Sequence, residues 1–555
     1  MIAYAGKTLT HVLVSDTHHL GRIIAPPEVK AHEYLVPGSG DIDFPAILVT
    51  LSEVRYDNFL SVHIISEADR IVEAALRTKQ KLEGFLGALA CWVLSFYRRL
   101  HGSTFCSPLS LRDISPKFGG ENRRRVANHA DRVTLLRRQI MSLRPLMFMG
   151  QIQAFENEGA DYIIKRLWDG GIREMVLGDL ILSDGEVRGP AFAPNLDVYA
   201  DTQVRPPNLP KGLENQSRIF RDAVKAAADK GFKLYFHDWG QGGGCLNNSD
   251  QIRFGLARTR DTFEHYPETH GFVLDGPEYG YEIEAEHRSN VFRCFCEHCE
   301  NKAAALGYDF YAMKAAAARL KIYLHTLSPD VMRGFIATQT GPFDALDLFL
   351  QDAALFDWLR FKTDCIQDYV GAFYRCVKEI DPRLQLACGP RTSAFAPLTA
   401  YNFRRLNEVT DFIAPKLYFW QHGIDGLKGT VYRYAKTLME WNDGVSEALA
   451  LEFVFKVFGF SMPGVNSLET LSEPLSPAFF RETVPSEIAK MIYRAGDVKR
   501  LKPWVGLHHG GVRISFNELS LLLNSIAESG LKSLIYWHYS DMVEEEWQIL
   551  KEFIA

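Results

Sequence analysis

The sequence predicts an α/β chain whose main body is a (β/α)8 (TIM) barrel, with a long insertion after the fourth strand and an extra N-terminal region. Two observations carry this reading. From about residue 146 a short apolar run, a polar or Gly-containing loop and a helix-like stretch recur in turn, and eight such runs occur before the chain ends. Strands that alternate with helices call for parallel βαβ crossovers rather than hairpins. The composition agrees with a folded body of this size: 555 residues, 47% hydrophobic and 23% charged.

In chain order the eight runs are "LMFMGQI" (146–152), "EMVLGDL" (174–180), "KLYFHD" (233–238), "GFVLDG" (271–276), "QLACGP" (385–390), "DFIAPKLYFW" (411–420), "WVGLHH" (504–509) and "LIYWHYS" (534–540). Each is short and nearly continuous in apolar residues, the pattern of a strand buried on both faces. Among the stretches between them, "RIFRDAVKAAADKG" and "FNELSLLLNSIAESG" have helical spacing and close on Gly, which takes the left-handed cap position. Residues 277–355 form the largest interruption, between the fourth and fifth strands. The stretch "SEALALEFVFKVFGF" (446–460) fits a ninth strand or a helix; its Ala/Leu-rich start and preceding polar cap candidates favour a helix.

Residues 1–145 do not follow this alternation and are expected to form a separate N-terminal region, leaving 146–555 for the barrel. They carry 19 Lys+Arg against 14 Asp+Glu, opposite in sign to the net charge of −6 for the whole chain. The net charge of −6 gives no reason to expect nucleic acid as a partner, and the basic run "RRRVANHADRVTLLRR" reads as a solvated helix in preference to a binding face. "LEGFLGALACWVLSFY" (82–97) is short for a membrane span and contains Glu83, so a buried helix is expected. The start "MIAYAGKTLTHVLVSD" lacks a basic segment followed by a long apolar run, and a cytoplasmic location is the expectation. Nine cysteines in this length do not make a disulfide scaffold. The oligomeric state stays open, a homo-oligomer included.

In barrels of this kind the reacting groups lie at the C-terminal ends of the strands. Those ends carry His237 and Asp238, Asp275 and Glu278, Arg391, Lys416 and Tyr418, His508 and His509, and Tyr536, Trp537 and His538. Carboxyl groups flanking a bond, with aromatic faces nearby, suit glycoside cleavage. One protonates the leaving oxygen and the other acts as nucleophile or base. Glu278 and Asp275 are the catalytic candidates. His237, Asp238, Arg391, Lys416, Tyr418, His508, Tyr536 and His538 are candidates for holding the carbohydrate. The plainer reading is that these polar side chains satisfy loop carbonyls.

The stretch "GFVLDGPEYGYEIEAEHRSNVFRCFCEHC" places Cys294, Cys296 and Cys299 within twenty-five residues of those acids. Thiolates at two- and three-residue spacing bend around a single zinc ion, which prefers four tetrahedral ligands. The competing reading is three reduced, buried thiols.

"GFVLDGPEYG" followed by "CFCEHC" resembles the barrel domain of the zinc-containing bacterial β-galactosidases, glycoside hydrolase family 42. It is equally similar to uncharacterised glycoside-hydrolase-like barrels with the same cysteine spacing. In that family the fourth strand ends in Asp-Asn-Glu-Tyr-Gly, whose Glu is the general acid; an earlier cysteine joins the C-x-C-x-x-C element at a zinc site. The resemblance implies that Glu278-Tyr279-Gly280 holds the acid position. It also implies that Cys245, in "GQGGGC", completes a structural zinc site with Cys294, Cys296 and Cys299. His287 or His298 is the reserve fourth ligand, and no organic cofactor is implied. Two departures stand out. Pro277 occupies the place of the family's Asn, and "WVGLHHGG" contains no Glu to match the nucleophile that ends the seventh strand. Glu452 is the alternative second carboxylate.

Other readings stay open beside the glycosidase. One is a non-catalytic barrel that binds a sugar. Another is a metal-dependent hydrolase using His237, Asp238 and the histidines of the seventh and eighth strands. At the N-terminus, "HVLVSDTHHLG" looks like the first motif of metallophosphoesterases, with "GSGDID" (38–43) and "ANHAD" (127–131) as loose later echoes.

Overall fold

The eight apolar runs build the eight strands of one parallel sheet. The computed structural model describes residues 11–14, 59–62 and 143–554, apart from 150–152, 180, 184–185, 189–191, 208–213, 239–243, 288–289, 339–351, 420–425 and 510–511. The strands are β1 (Arg144–Phe148), β2 (Glu174–Asp179), β3 (Lys233–Asp238), β4 (Gly271–Asp275), β5 (Gln385–Gly389), β6 (Phe412–Ile413), β7 (Trp504–Gly506) and β8 (Ser533–Trp537). They lie in the order β6-β5-β4-β3-β2-β1-β8-β7, every pair parallel.

The two ends of this order meet. Parallel bridges join Ile413 to Leu501 and Lys416 to Trp504. The Leu417 N–H donates to the Trp504 carbonyl at 2.9 Å, and the Trp504 N–H to the Pro415 carbonyl at 2.8 Å. The sheet therefore closes into a (β/α)8 barrel.

Inside the ring, large and small side chains interlock, as a filled barrel requires. At the bottom Tyr235 donates to Gln385 at 2.7 Å, and Lys502 pairs with Glu174 at 3.1 Å. Gly271 makes room for this layer, since a Cβ there would meet the Gln385 carbonyl oxygen at 2.3 Å and the Tyr235 ring at 2.9 Å. Buried hydrophobic residues from the strands and surrounding helices form a continuous main core, with Val198, Tyr199 and Ala257 in a small second cluster.

The helices start and stop where local chemistry allows. Asn248 caps Ser249–His265 by accepting from the Asp250 and Gln251 N–H groups at 3.0 and 3.3 Å. Ser515 and Glu518 form a capping box on Phe516–Glu528. The helix Glu214–Lys230 ends at Gly231, whose φ of 99° is the left-handed conformation that glycine tolerates.

Between β4 and β5 the described residues form three added helices, Glu297–Leu306, Phe310–Leu324 and Pro329–Thr338, before the long barrel helix Ala353–Ile380. The expected insertion is thus a helical one. The stretch 446–460 is the helix Glu447–Phe458, capped by Ser446 and closed by Gly459 in the left-handed conformation. It belongs to a second long insertion, between β6 and β7, that the sequence reading did not single out.

By internal contacts the chain divides at Gly119/Gly120. In the first unit the described residues form a parallel pair, His11–Val14 with Phe59–Val62. The readings placed on residues 82–97, on the basic run and on Asp16, His18, 38–43 and 127–131 lie outside the described residues. Among the described residues no helix is long and apolar enough to cross a membrane.

Candidate active site and metal centre

Asp275 ends β4, and its carboxylate points into the mouth of the barrel with a side chain 10% exposed. Lys416, just beyond β6, brings its ammonium to 3.2 Å from one carboxylate oxygen. The His237 Nε2, on β3, lies 3.5 Å from the other. Burial alone would raise the Asp275 pKa, but the Lys416 charge and the His237 contact outweigh it and hold the group down to about 2. Space for this carboxylate comes from β5. A Cβ on Gly389 would meet Asp275 Oδ1 at 2.6 Å and the Trp504 Nε1 at 3.3 Å.

Around this charged centre lies an aromatic floor. Phe148 stacks on Trp537 with ring centroids 4.8 Å apart and meets His237 and Trp504 edge-on at 5.0 and 5.4 Å. Trp504 stands 5.9 Å from Trp537, and Tyr418 is 6.4 Å from Trp537. His538 follows Trp537 and pairs its Nε2 with Asp541 at 3.3 Å. Phe148 and Trp504 were missed in the sequence because each sits in an apolar run with no polar marker. A count of strand parity would have aimed both at the barrel axis.

Glu278 lies three residues past β4, its side chain only 7% exposed, in a bidentate pair with Arg391 from the loop after β5. The Arg391 Nε is 2.7 Å from each carboxylate oxygen, and a second guanidinium nitrogen also reaches Oε1. Two-pronged guanidinium pairs of this kind favour the ionised carboxylate. The turn that carries Glu278 is fixed from the same side, because Tyr401 donates to the Pro277 carbonyl at 2.9 Å and the Tyr279 N–H to the Thr399 carbonyl at 3.3 Å.

Two expected assignments fail. Tyr536 is not at the mouth. Successive strand residues face opposite ways, so with Trp537 on the floor Tyr536 faces the outer helix Glu544–Phe553, where it donates to Glu546 at 2.6 Å. Glu452 is exposed on the helix Glu447–Phe458 and is no second carboxylate of this site. Asp238 closes β3 opposite Leu274, and His508 and His509 form a short hairpin strand against Val512–Arg513. The side chains of Asp238, His508 and His509 lie outside the described ones.

Behind the β4 turn the four cysteines converge. Cys245, Cys294, Cys296 and Cys299 place their sulfurs all within 4.8 Å of one another, and among the described residues no other set of ligating side chains does so. The Cys245 and Cys299 sulfurs are 3.5 Å apart, those of Cys296 and Cys299 3.9 Å. Two helix starts organise the set. Cys296 is the N-cap of Glu297–Leu306, with Cys299 in its first turn, and Cys245 leads into the cap of Ser249–His265. Helix N-termini favour negative charge, which suits thiolates. Four sulfurs at these separations fit a metal ion.

No protein-family model and no curated protein matches this chain. Among solved structures, the spore cortex-lytic enzyme SleL of Bacillus cereus aligns over 75% of this chain and 75% of its own, at 8% identity and a TM-score of 0.34. A β-galactosidase from the Antarctic haloarchaeon Halorubrum lacusprofundi aligns over 74% of this chain and 57% of its own, at 11% identity and a TM-score of 0.39. A chitinase from Chromobacterium violaceum aligns over 74% and 99%, at 8% identity and a TM-score of 0.35. At such scores these similarities carry no argument about the site, and the fold rests on the strands described above.

Proposed function

We propose that this chain is a carbohydrate-active barrel, a glycoside hydrolase whose saccharide lies over Trp537, the half-buried ring that the buried Phe148 and Trp504 pack against. The observation that supports this is one barrel mouth joining a buried aromatic floor to two buried carboxylates carried by a single strand end. Flat rings cover the apolar faces of a sugar. Asp275, already ionised, lends negative charge where the anomeric carbon becomes positive. Glu278 is the general acid: in the bound complex it leaves Arg391, takes a proton from solvent and passes it to the glycosidic oxygen, while water adds to the anomeric carbon on the side of Asp275. His237, Lys416, Tyr418, Arg391 and His538 orient the sugar hydroxyls.

In the same reading the four cysteines hold a structural zinc. Zn–S bonds of about 2.3 Å place tetrahedral sulfurs about 3.8 Å apart, and the separations of 3.5 and 3.9 Å bracket that value. Four thiolates leave no open position on such an ion, so its contribution is to tie the loop after β3 to the insertion after β4. The likeness to the family 42 β-galactosidases belongs to this reading through Glu278, Tyr279, Gly280 and the cysteine spacing. The missing glutamate at the end of β7 argues for a different substrate or second carboxylate.

A second reading, a sugar-binding barrel without turnover, draws on the Arg391 clamp, which occupies both Glu278 oxygens. The two are separated by assaying a panel of unactivated glycosides with the parent and with Glu278→Gln. General acid catalysis is worth roughly 10²- to 10⁴-fold, and the hydrolase reading expects a loss of that size with the fold retained. Saccharide binding without measurable cleavage by the parent would support the second reading instead.

A further inference from the structure

We infer that Asn247 is a positioning residue that couples the four-cysteine centre to the turn carrying Glu278. The inference rests on the reading of the four cysteines as a metal site and goes beyond it to a side chain that ligates nothing. Asn247 lies in the short turn between Cys245 and the helix cap Asn248. Its backbone N–H donates to the Cys245 sulfur at 3.4 Å. Its side-chain nitrogen reaches the Cys299 sulfur, also at 3.4 Å, and the Tyr279 hydroxyl oxygen at 3.2 Å. That nitrogen carries two hydrogens, so both bonds form at once.

The consequence for the sulfurs is electrostatic. Four thiolates around a divalent cation leave a net charge of about −2, and donors to sulfur relieve it and fix ligand orientation. Asn247 supplies donors to two of the four ligands, from two different segments of the chain. The consequence for the turn is mechanical. Tyr279 is 5% exposed and directly follows Glu278. Thr399 and Tyr401 hold the turn from the β5 side, and Asn247 holds it from the cysteine side. Asn247 thus transmits the order of the metal centre to the neighbour of the proposed acid.

The test uses the full chain and cobalt(II) as the probe, with affinity measured by competition against a chelator and the thiolate-to-cobalt absorption band recorded. Asn247→Leu keeps the branched shape, at somewhat larger volume, and removes both side-chain donor hydrogens. Outer-shell partners are worth roughly 10- to 100-fold in metal affinity; a loss in that range with a shifted band is expected. Tyr279→Phe leaves the contacts to sulfur and should bind cobalt like the parent. Amide exchange across residues 278–280 of the cobalt-loaded protein should quicken in both variants. If Asn247→Leu matches the parent in affinity, band and exchange, the coupling is refuted while the metal site stands. If the parent itself takes up neither cobalt nor zinc, the metal reading fails and the inference with it.

Discussion

Replacing Asp275 by Asn removes a charge whose partner cannot leave. Lys416 is only 3% exposed, and its ammonium is held 3.2 Å from the carboxylate in the barrel mouth. Two independent routes give the size of the effect. Lowering the Asp275 pKa from an ordinary 3.8 to about 2 corresponds to roughly 2 kcal/mol of folding stability at neutral pH. Breaking a buried pair by removing one partner costs about 3–5 kcal/mol, because the remaining charge is stranded. A loss of about 2–5 kcal/mol is therefore expected, a large share of the roughly 5–15 kcal/mol typical of a folded protein. The sign with pH follows from the depressed pKa. The contribution is present above the unfolded value and is lost as pH falls from about 4 through about 2, so parent and variant should converge in acid. Urea titrations at pH 7 and at intervals down to pH 3 measure this. A double variant, Asp275→Asn with Lys416→Met, removes both charges and should recover most of the loss. A single variant within about 0.5 kcal/mol of the parent would refute the buried pair, as would a double variant no more stable than the single.

Glu546 is buried, and burial pushes its pKa up to about 7 from 4.5. Because the folded state holds that proton longer than the unfolded chain, stability should fall by about 3 kcal/mol between pH 4.5 and 7; Glu546→Gln should remove this slope in pH-resolved denaturation. The cysteine set predicts one metal ion per chain, measured by elemental analysis, and Cys299→Ser should lose most of it. Trp537→Ala should weaken saccharide binding by up to roughly tenfold, the worth of one aromatic contact, read from calorimetry.

All eight strands were legible because strands buried on both faces write themselves as unbroken apolar runs, and even β6, two residues long, announced itself through the longer run around it. The helix Glu447–Phe458 was legible from its composition and its serine cap. The cysteines were legible because three ligands lie within six residues, so local spacing encodes the geometry. What depends on tertiary placement was not. Arg391 and Glu278 are 113 residues apart, and nothing local in either segment marks the other as its partner. Tyr536 was misassigned by proximity to the strand end, where strand parity decides instead. Asn247 carries no motif at all; its meaning comes only from the two sulfurs and the hydroxyl that surround it.

The closure of the barrel has a bearing on how the mouth is held. A ring of eight strands is as secure as its weakest joint, and here the joint between β6 and β7 is a latch of a few bonds around Ile413, Lys416, Leu417 and Trp504. The residues that fasten the latch also build the mouth, since Lys416 supplies the cation at Asp275 and Trp504 packs against Trp537. Release of the latch would therefore undo the Asp275 ion pair and the aromatic packing of the mouth in the same motion. Closure of the ring and the order of its mouth are in this way one property seen from two sides.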